Sequence, residues 1–358
     1  MFADGTPELR AARIEEAGLE EELRGSLLAL AGVTALDTRK LDEAEVGAAC
    51  LAVARYAEER GAPATRLAFM EVAAVAMPDD ARLAFEVGKL ARDSADYAAG
   101  EAWFRKAIKA AIHAKDRETY IWAFLGLAIL YMRLGNYPAS RAVTNRALRA
   151  ARHHRLRGMA GRAYHHLFIL EAESERSREA YEHAYSALQA YGREHPRLNA
   201  LAHDVAWYWV CHGAYVRALP ILEAVAPHVS DPSEQPLVFA NLAWAAAGSG
   251  EYLRYEQTRR HALELLNQPC GRRRFTAVLA TLACADASAG NVELAEKTAE
   301  SALSLALRMG DVDAWTLAER GLKQARSRSK DEFFVEEMPV LARRADRLAG
   351  DLIRSLES

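Results

Sequence analysis

TYIWAFLGLAILYMRLGNYPASRAVTNRALRAAR, residues 119–152, decides the fold. It reads as two amphipathic helices that meet at a tight turn, Leu134-Gly135-Asn136-Tyr137. A helix repeats every 3.6 residues, so positions three and four apart share a face. Phe124, Leu127, Ala128 and Tyr131 therefore form one stripe, and Tyr137, Ser140, Thr144 and Ala147 form another on the following helix. The small Ala128 lets the paired helix come close. Gly135 suits the left-handed conformation that commonly ends a helix. Tyr137 is placed to pack back into the notch between the helices. Pro138 sits in the first turn of its helix, where a missing N–H costs little.

Sliding this pattern along the chain finds further copies. The anchors equivalent to Tyr137 are Gly61, Tyr97, Ser177, Tyr215, Tyr252 and Val292, spaced 36 to 40 residues apart. Small residues recur three or ten positions after the anchor, as at Gly100, Ala107, Ala147, Ala187, Ala218 and Ala302. A chain of 358 residues is long for one compact core, whereas a repeat array can grow because each unit needs only its neighbours.

The large/small/large order and the Gly-x-Tyr turns resemble the tetratricopeptide repeat (TPR) over roughly residues 45–305. The resemblance implies an all-α, right-handed superhelical solenoid of antiparallel helix pairs. These units are longer than the usual 34 residues. They are similar to the long repeats of bacterial peptide sensors and of sensor arms in large transcription activators. The Gly61 and Ser177 units lack the Gly-x-Tyr turn. The expected organisation is an N-terminal capping helix and loop (1–42), about seven repeat units (43–310) and C-terminal capping helices (311–358). One long helix is expected over 8–33. A final amphipathic helix over 332–356 is expected to cover the last repeat, with dimerisation through the terminal helices as its other reading.

Composition narrows the function classes. The formal net charge is -3, which weighs against a general nucleic-acid coat. Cys50, Cys211, Cys270 and Cys284 form no CxxC pair and fit no zinc template, so free thiols in a reducing compartment are expected. No signal peptide and no 18-residue apolar run is visible, which gives an expected cytoplasmic location and no membrane partner. No phosphate loop, GxSxG elbow or HExxH motif occurs, so no enzyme activity and no cofactor are expected.

The resemblance places binding on the concave face, lined by the first helix of each unit. In that register the groove takes Phe85, Lys89 and Arg92, then Trp122 and Arg133, then Arg162, His165 and His166. It continues through His203, Asp204 and Trp207 to Asn241 and Trp244. Trp and Arg are frequent at binding hot spots. Trp207 and Trp244 read equally well as core between helices. Asn241 stands where carboxylate-clamp TPR domains place an Asn, though the matching Lys positions are not clearly filled. Metal binding by His165, His166, His203 and Asp204 is disfavoured, because adjacent residues point about 100° apart on a helix. A pH-sensitive hydrogen-bond cluster is the preferred reading of them.

Residues 119–170 contain no Asp or Glu, yet hold Arg133, Arg141, Arg146, Arg149, Arg152, Arg155, Arg157 and Arg162. This stretch reads as a solvated outer face. It also reads as a patch for an acidic partner, for nucleic acid, or for the chain's own acidic N-terminal helix in cis or across a dimer. Arg272, Arg273 and Arg274 form a smaller cluster. The expected function is a scaffold or sensor for a protein or peptide segment carrying acidic groups. The alternative is a regulatory subunit of a bacterial signalling or transcription-control system.

Overall fold

The computed structural model describes residues 6–34, 42–268, 274–327 and 339–357, and all regular structure among them is helical. Cys270, Arg272 and Arg273 lie outside the described residues, as do most of the two breaks expected near 34–40 and 326–332.

The chain forms two compact units, Met1–His166 and Leu167–Ser358. The first contains α1 (Pro7–Glu16), α2 (Glu21–Thr34), α3 (Glu43–Glu59), α4 (Pro63–Ala76), α5 (Ala81–Asp93), α6 (Tyr97–Ala114), α7 (Arg117–Arg133) and α8 (Tyr137–His153). It ends within α9 (Arg157–Glu173). The second contains α10 (Ser177–Tyr191), α11 (Leu198–Cys211), α12 (Tyr215–Val225), α13 (Gln235–Gly248) and α14 (Tyr252–Leu266). It continues through α15 (Phe275–Ser288), α16 (Val292–Met309), α17 (Val312–Ser327) and α18 (Pro339–Leu356). Consecutive helices pack as antiparallel pairs, and α5 also touches α7, as α11 touches α13 and α13 touches α15.

Six of the seven sequence anchors are the first residues of helices: Tyr97, Tyr137, Ser177, Tyr215, Tyr252 and Val292. The exception is Gly61. Its φ of +64° places it in the left-handed position two residues before α4, the role that Gly135 (φ +69°) plays before α8. The same turn position is held by Ala95 (φ +63°) and Glu175 (φ +55°), which lack glycine's freedom there. Asp80, Asp96, Asp116 and Asn136 then cap α5 to α8, each accepting a bond from the N–H three residues on.

Close packing depends on missing side chains. The Phe104 ring lies where a Cβ on Gly88 or Gly126 would stand, at 2.8 and 2.4 Å. In the second unit, Tyr215 is buried over Gly248 in the notch expected for the anchor tyrosine. Tyr252 instead remains 54 % exposed. The second unit also buries a charged hub. Asp286, fully buried, accepts from Arg259, Tyr255 and Thr298.

Two expectations about the ends change. The segment 8–33 is two helices, because the chain turns at Gly18 (φ +61°) between α1 and α2. The final helix does not cover the last repeat. Helix α18 packs on α10, α11 and α12, burying Ala345, Leu348, Ala349, Leu352 and Leu356. Arg344 Nη1 donates to Glu182 at 2.8 Å and Arg217 Nε to Asp346 at 2.9 Å. The apolar stripe of α18 thus finds its groove in the middle of the unit.

Candidate functional site

In the first unit the expected groove residues sort by burial. Phe85 is buried, with Phe104 and Trp122 each 5.9 Å from its ring centre, so it packs the core and presents no surface to a partner. Arg92 is buried too and forks onto Asp93 at 3.0 and 2.9 Å. Arg133, exposed, reaches the same carboxylate at 3.3 Å. Lys89 is half-buried and pairs with Glu86 at 2.7 Å. Trp122 is half-buried, and the Arg162 guanidinium lies 4.0 Å from its ring centre, a cation–π stack.

His165 and His166 are both buried and do not line a groove. His166 Nε2 lies 3.1 Å from Ser140 Oγ, whose own proton goes to the Ala128 carbonyl at 2.7 Å. The hydroxyl oxygen therefore accepts, and Nε2 carries the ring proton. Burial, aided by His165, pushes the His166 imidazole down to about 4. It is a neutral bolt across α7, α8 and α9.

In the second unit, three expected residues from α11 and α13 meet in a chain. Asp204 Oδ1 stands 3.2 Å from His203 Nδ1, and His203 Nε2 stands 2.9 Å from Asn241 Nδ2. The carboxylate fixes the proton on Nδ1, so Nε2 accepts from the Asn241 amide. That orientation leaves Asn241 Oδ1, which is buried, without a hydrogen-bond partner among the described residues. Trp207, half-buried, is one turn further along α11 and meets Trp244 edge-on at 5.8 Å.

Trp244 itself is fully buried and is core. Its Nε1 donates to Ser288 at 3.1 Å, and Gln324 donates to the same hydroxyl at 3.2 Å. The Arg320 guanidinium lies 5.2 Å from the Trp244 ring centre and donates to the Cys211 carbonyl at 2.7 Å. Arg320 and Gln324 come from α17, which the sequence reading assigned to a cap. Its buried small residues Ala314, Ala318, Gly321 and Ala325 are the signal that it packs close on α15. Desolvation pushes the thiols of Cys211 and the buried Cys284 up to about 12, so neither is a reactive thiolate.

On the arginine-rich stretch, Arg146 donates to Tyr120 at 3.2 Å and lies 4.7 Å from the Phe124 ring centre. Arg141 is half-buried, and Arg157 is exposed at the start of α9. Arg149, Arg152 and Arg155 are exposed, and none pairs with a carboxylate among the described residues. Arg274 pairs with Glu234 at 2.8 Å. Among the described residues no helix is long and apolar enough to cross a membrane.

No family model matches the chain, and no curated protein matches it. Solved structures do. One is a signal-transduction ATPase with numerous domains and a tetratricopeptide repeat sensor, from Pyrococcus horikoshii. The TM-score is 0.52 at 16% identity, covering 97% of this chain and 51% of that one. Another is the Rap conjugation gene regulator of the plasmid pLS20 in complex with the Phr* peptide. The TM-score is 0.51 at 15% identity, covering 93% of this chain and 92% of that one. At these identities the likeness concerns the fold: all-α, built from sequential helix pairs.

Proposed function

We propose that this chain is a non-enzymatic scaffold or sensor that binds a peptide or protein segment on the face shared by α11 and α13. The observation that carries this is the Asp204–His203–Asn241 chain ending on an unspent, buried amide oxygen, with the half-buried Trp207 one helical turn from His203 on α11. A buried acceptor left unmade costs about 1–3 kcal/mol. A segment that brings an N–H donor recovers that amount and covers the Trp207 ring.

The oxygen is out of solvent contact. A donor reaches it only when neighbouring side chains move, so binding and conformational change are one event. That coupling is what a sensor or regulatory subunit requires, and it favours the regulator as the second reading. The peptide held by the Rap regulator motivates the choice of ligand class. The acidic partner expected from Arg and His is a weaker part of the reading here, since the anchor offers an acceptor.

The test is selection of binders from a random peptide display on the wild-type chain, followed by titration against His203→Ala and Trp207→Ala. Loss of about 1–3 kcal/mol at Trp207 is expected for a hot spot. Selection of no peptide, or equal binding by all three folded proteins, would overturn the reading. Unchanged small-angle scattering with saturating peptide would remove the regulator.

A further inference from the structure

Cations in the first unit recur at equivalent places in two successive helix pairs, forty residues apart. Lys109 and Arg149 each lie twelve residues after the first residue of their helices, α6 and α8. Lys115 (φ +55°) and Arg155 (φ +57°) each hold the left-handed position in the turn that follows. Arg117 and Arg157 each open the next helix, α7 and α9. All six are exposed. Lys109, Lys115, Arg117, Arg149 and Arg155 have no carboxylate partner among the described residues. Lys106 and Arg146, again forty residues apart, are held over rings. Lys106 Nζ lies 3.9 Å from the Trp103 ring centre, and the Arg146 guanidinium 4.7 Å from that of Phe124.

The two turns lie on one edge. Helix α7 packs antiparallel on both α6 and α8, so the end of α6, the start of α7 and the end of α8 come together. Desolvation lowers the His154 imidazole, and the charges of Arg117 and His153 add to the effect, so Arg117 acts on the α8–α9 turn. Residues 105–166 hold thirteen Arg and Lys against two carboxylates. One of these, Asp116, is spent capping α7. The fold asks for some of this charge and not the rest. Cations near the ends of α6 and α8 offset the helix dipole, but Arg117 and Arg157 stand at helix starts, where a cation opposes it.

We infer that this edge binds double-stranded nucleic acid through its phosphates, without reading its sequence. A set of cations repeated from one helix pair to the next fits a polymer whose own charge is repeated. Phosphate contacts position a duplex and carry no base information. A peptide needs desolvated apolar anchors, and the large apolar side chain exposed on these two turns is Ile112 alone. A single strand needs aromatic platforms for its bases, and the two turns expose no Phe, Tyr or Trp. The net charge of -3 over the whole chain confines such binding to this edge. The inference is independent of the peptide site proposed on the second unit.

The test is fluorescence anisotropy of a labelled DNA duplex of mixed sequence, titrated with the full chain from about 50 to about 200 mM salt. Six phosphate contacts at about 0.9 each give an expected log–log salt slope of about −5. Lys109→Gln with Lys115→Gln should flatten the slope by about 2, and so should Arg149→Gln with Arg155→Gln. Arg260→Gln with Arg308→Gln, exposed on the second unit, should leave it unchanged. Circular dichroism checks that all three variants are folded. A single strand of the same sequence should bind more weakly than the duplex. No binding at about 50 mM salt overturns the proposal. So does a slope that neither first-unit pair changes, or that the second-unit pair flattens as much. A single strand that binds more tightly overturns the choice of a duplex. Polyglutamate that displaces the label as well as unlabelled duplex does, at equal charge, would assign the edge to an acidic protein and equally overturn it.

Discussion

Arg259 grips Asp286 with two prongs, Nε at 2.6 Å and Nη2 at 3.1 Å, where the carboxylate has no exposure to water. Tyr255 and Thr298 complete its bonds. Removing one partner of such a pair leaves a buried charge uncompensated, at about 3–5 kcal/mol. Arg259→Ala should therefore destabilise the second unit by that order in urea unfolding. Replacing Arg259 and Asp286 together by apolar residues should cost much less than the sum of the single changes, and a double-mutant cycle measures the difference. Additive costs would mean the pair is not coupled.

Acid should weaken the first unit through one residue. Burial holds His166 at about 4 against an ordinary 6.5, so its folded state resists protonation. The sign follows: stability is full above about pH 6.5 and falls as the pH drops toward 4, because unfolding takes up a proton. The full loss is about 3 kcal/mol. Chemical unfolding of wild type and His166→Gln across that range checks it. The variant should lose this part of the slope while its Nε2 still supplies a donor to Ser140.

The turn before α6 should be improvable. Ala95 adopts φ +63°, which L side chains resist. Ala95→Gly should stabilise by about 0.5–1 kcal/mol after the entropy glycine adds to the unfolded chain. Gly135→Ala, at the equivalent place before α8, should cost a similar amount. Opposite signs in thermal melts would confirm that conformation, and not packing, governs both positions.

The two tryptophans at the proposed peptide site should separate. Trp244 is fully buried, and Trp244→Ala should cost about 3–5 kcal/mol of stability. Trp207 is half-buried, so Trp207→Ala should cost less stability and more affinity for a selected peptide. Calorimetric titration beside a denaturation curve distinguishes them.

Much of this was legible in the sequence, for a physical reason. The helix starts are written in local chemistry: a left-handed residue, a cap, then a large anchor. Six of the seven anchors, from Tyr97 to Val292, therefore fall on helix first residues. Gly61 misled by two positions because its unit has no tyrosine after the glycine. Which side of a first helix faces the core depends on its neighbours. Phe85, Arg92, His165, His166 and Trp244 share the groove register with Trp122 and Trp207, yet they are buried. The contacts of Arg320 and α18 are remote in sequence, and nothing local marks a partner 109 or 162 residues away.

Helix α18 also sets an order of events. Neighbouring repeats assemble locally and need no distant segment. The Arg344–Glu182 contact closes a loop of 162 residues, and such non-local contacts form late. During synthesis from the N-terminus, α10 to α12 are complete long before α18 has been made. Their apolar groove therefore waits uncovered while most of the second unit is still being translated. A helix made well after α10 to α12 is what seals the groove they form. A chain truncated before Pro339 would keep its repeats and leave that groove open to any amphipathic helix nearby.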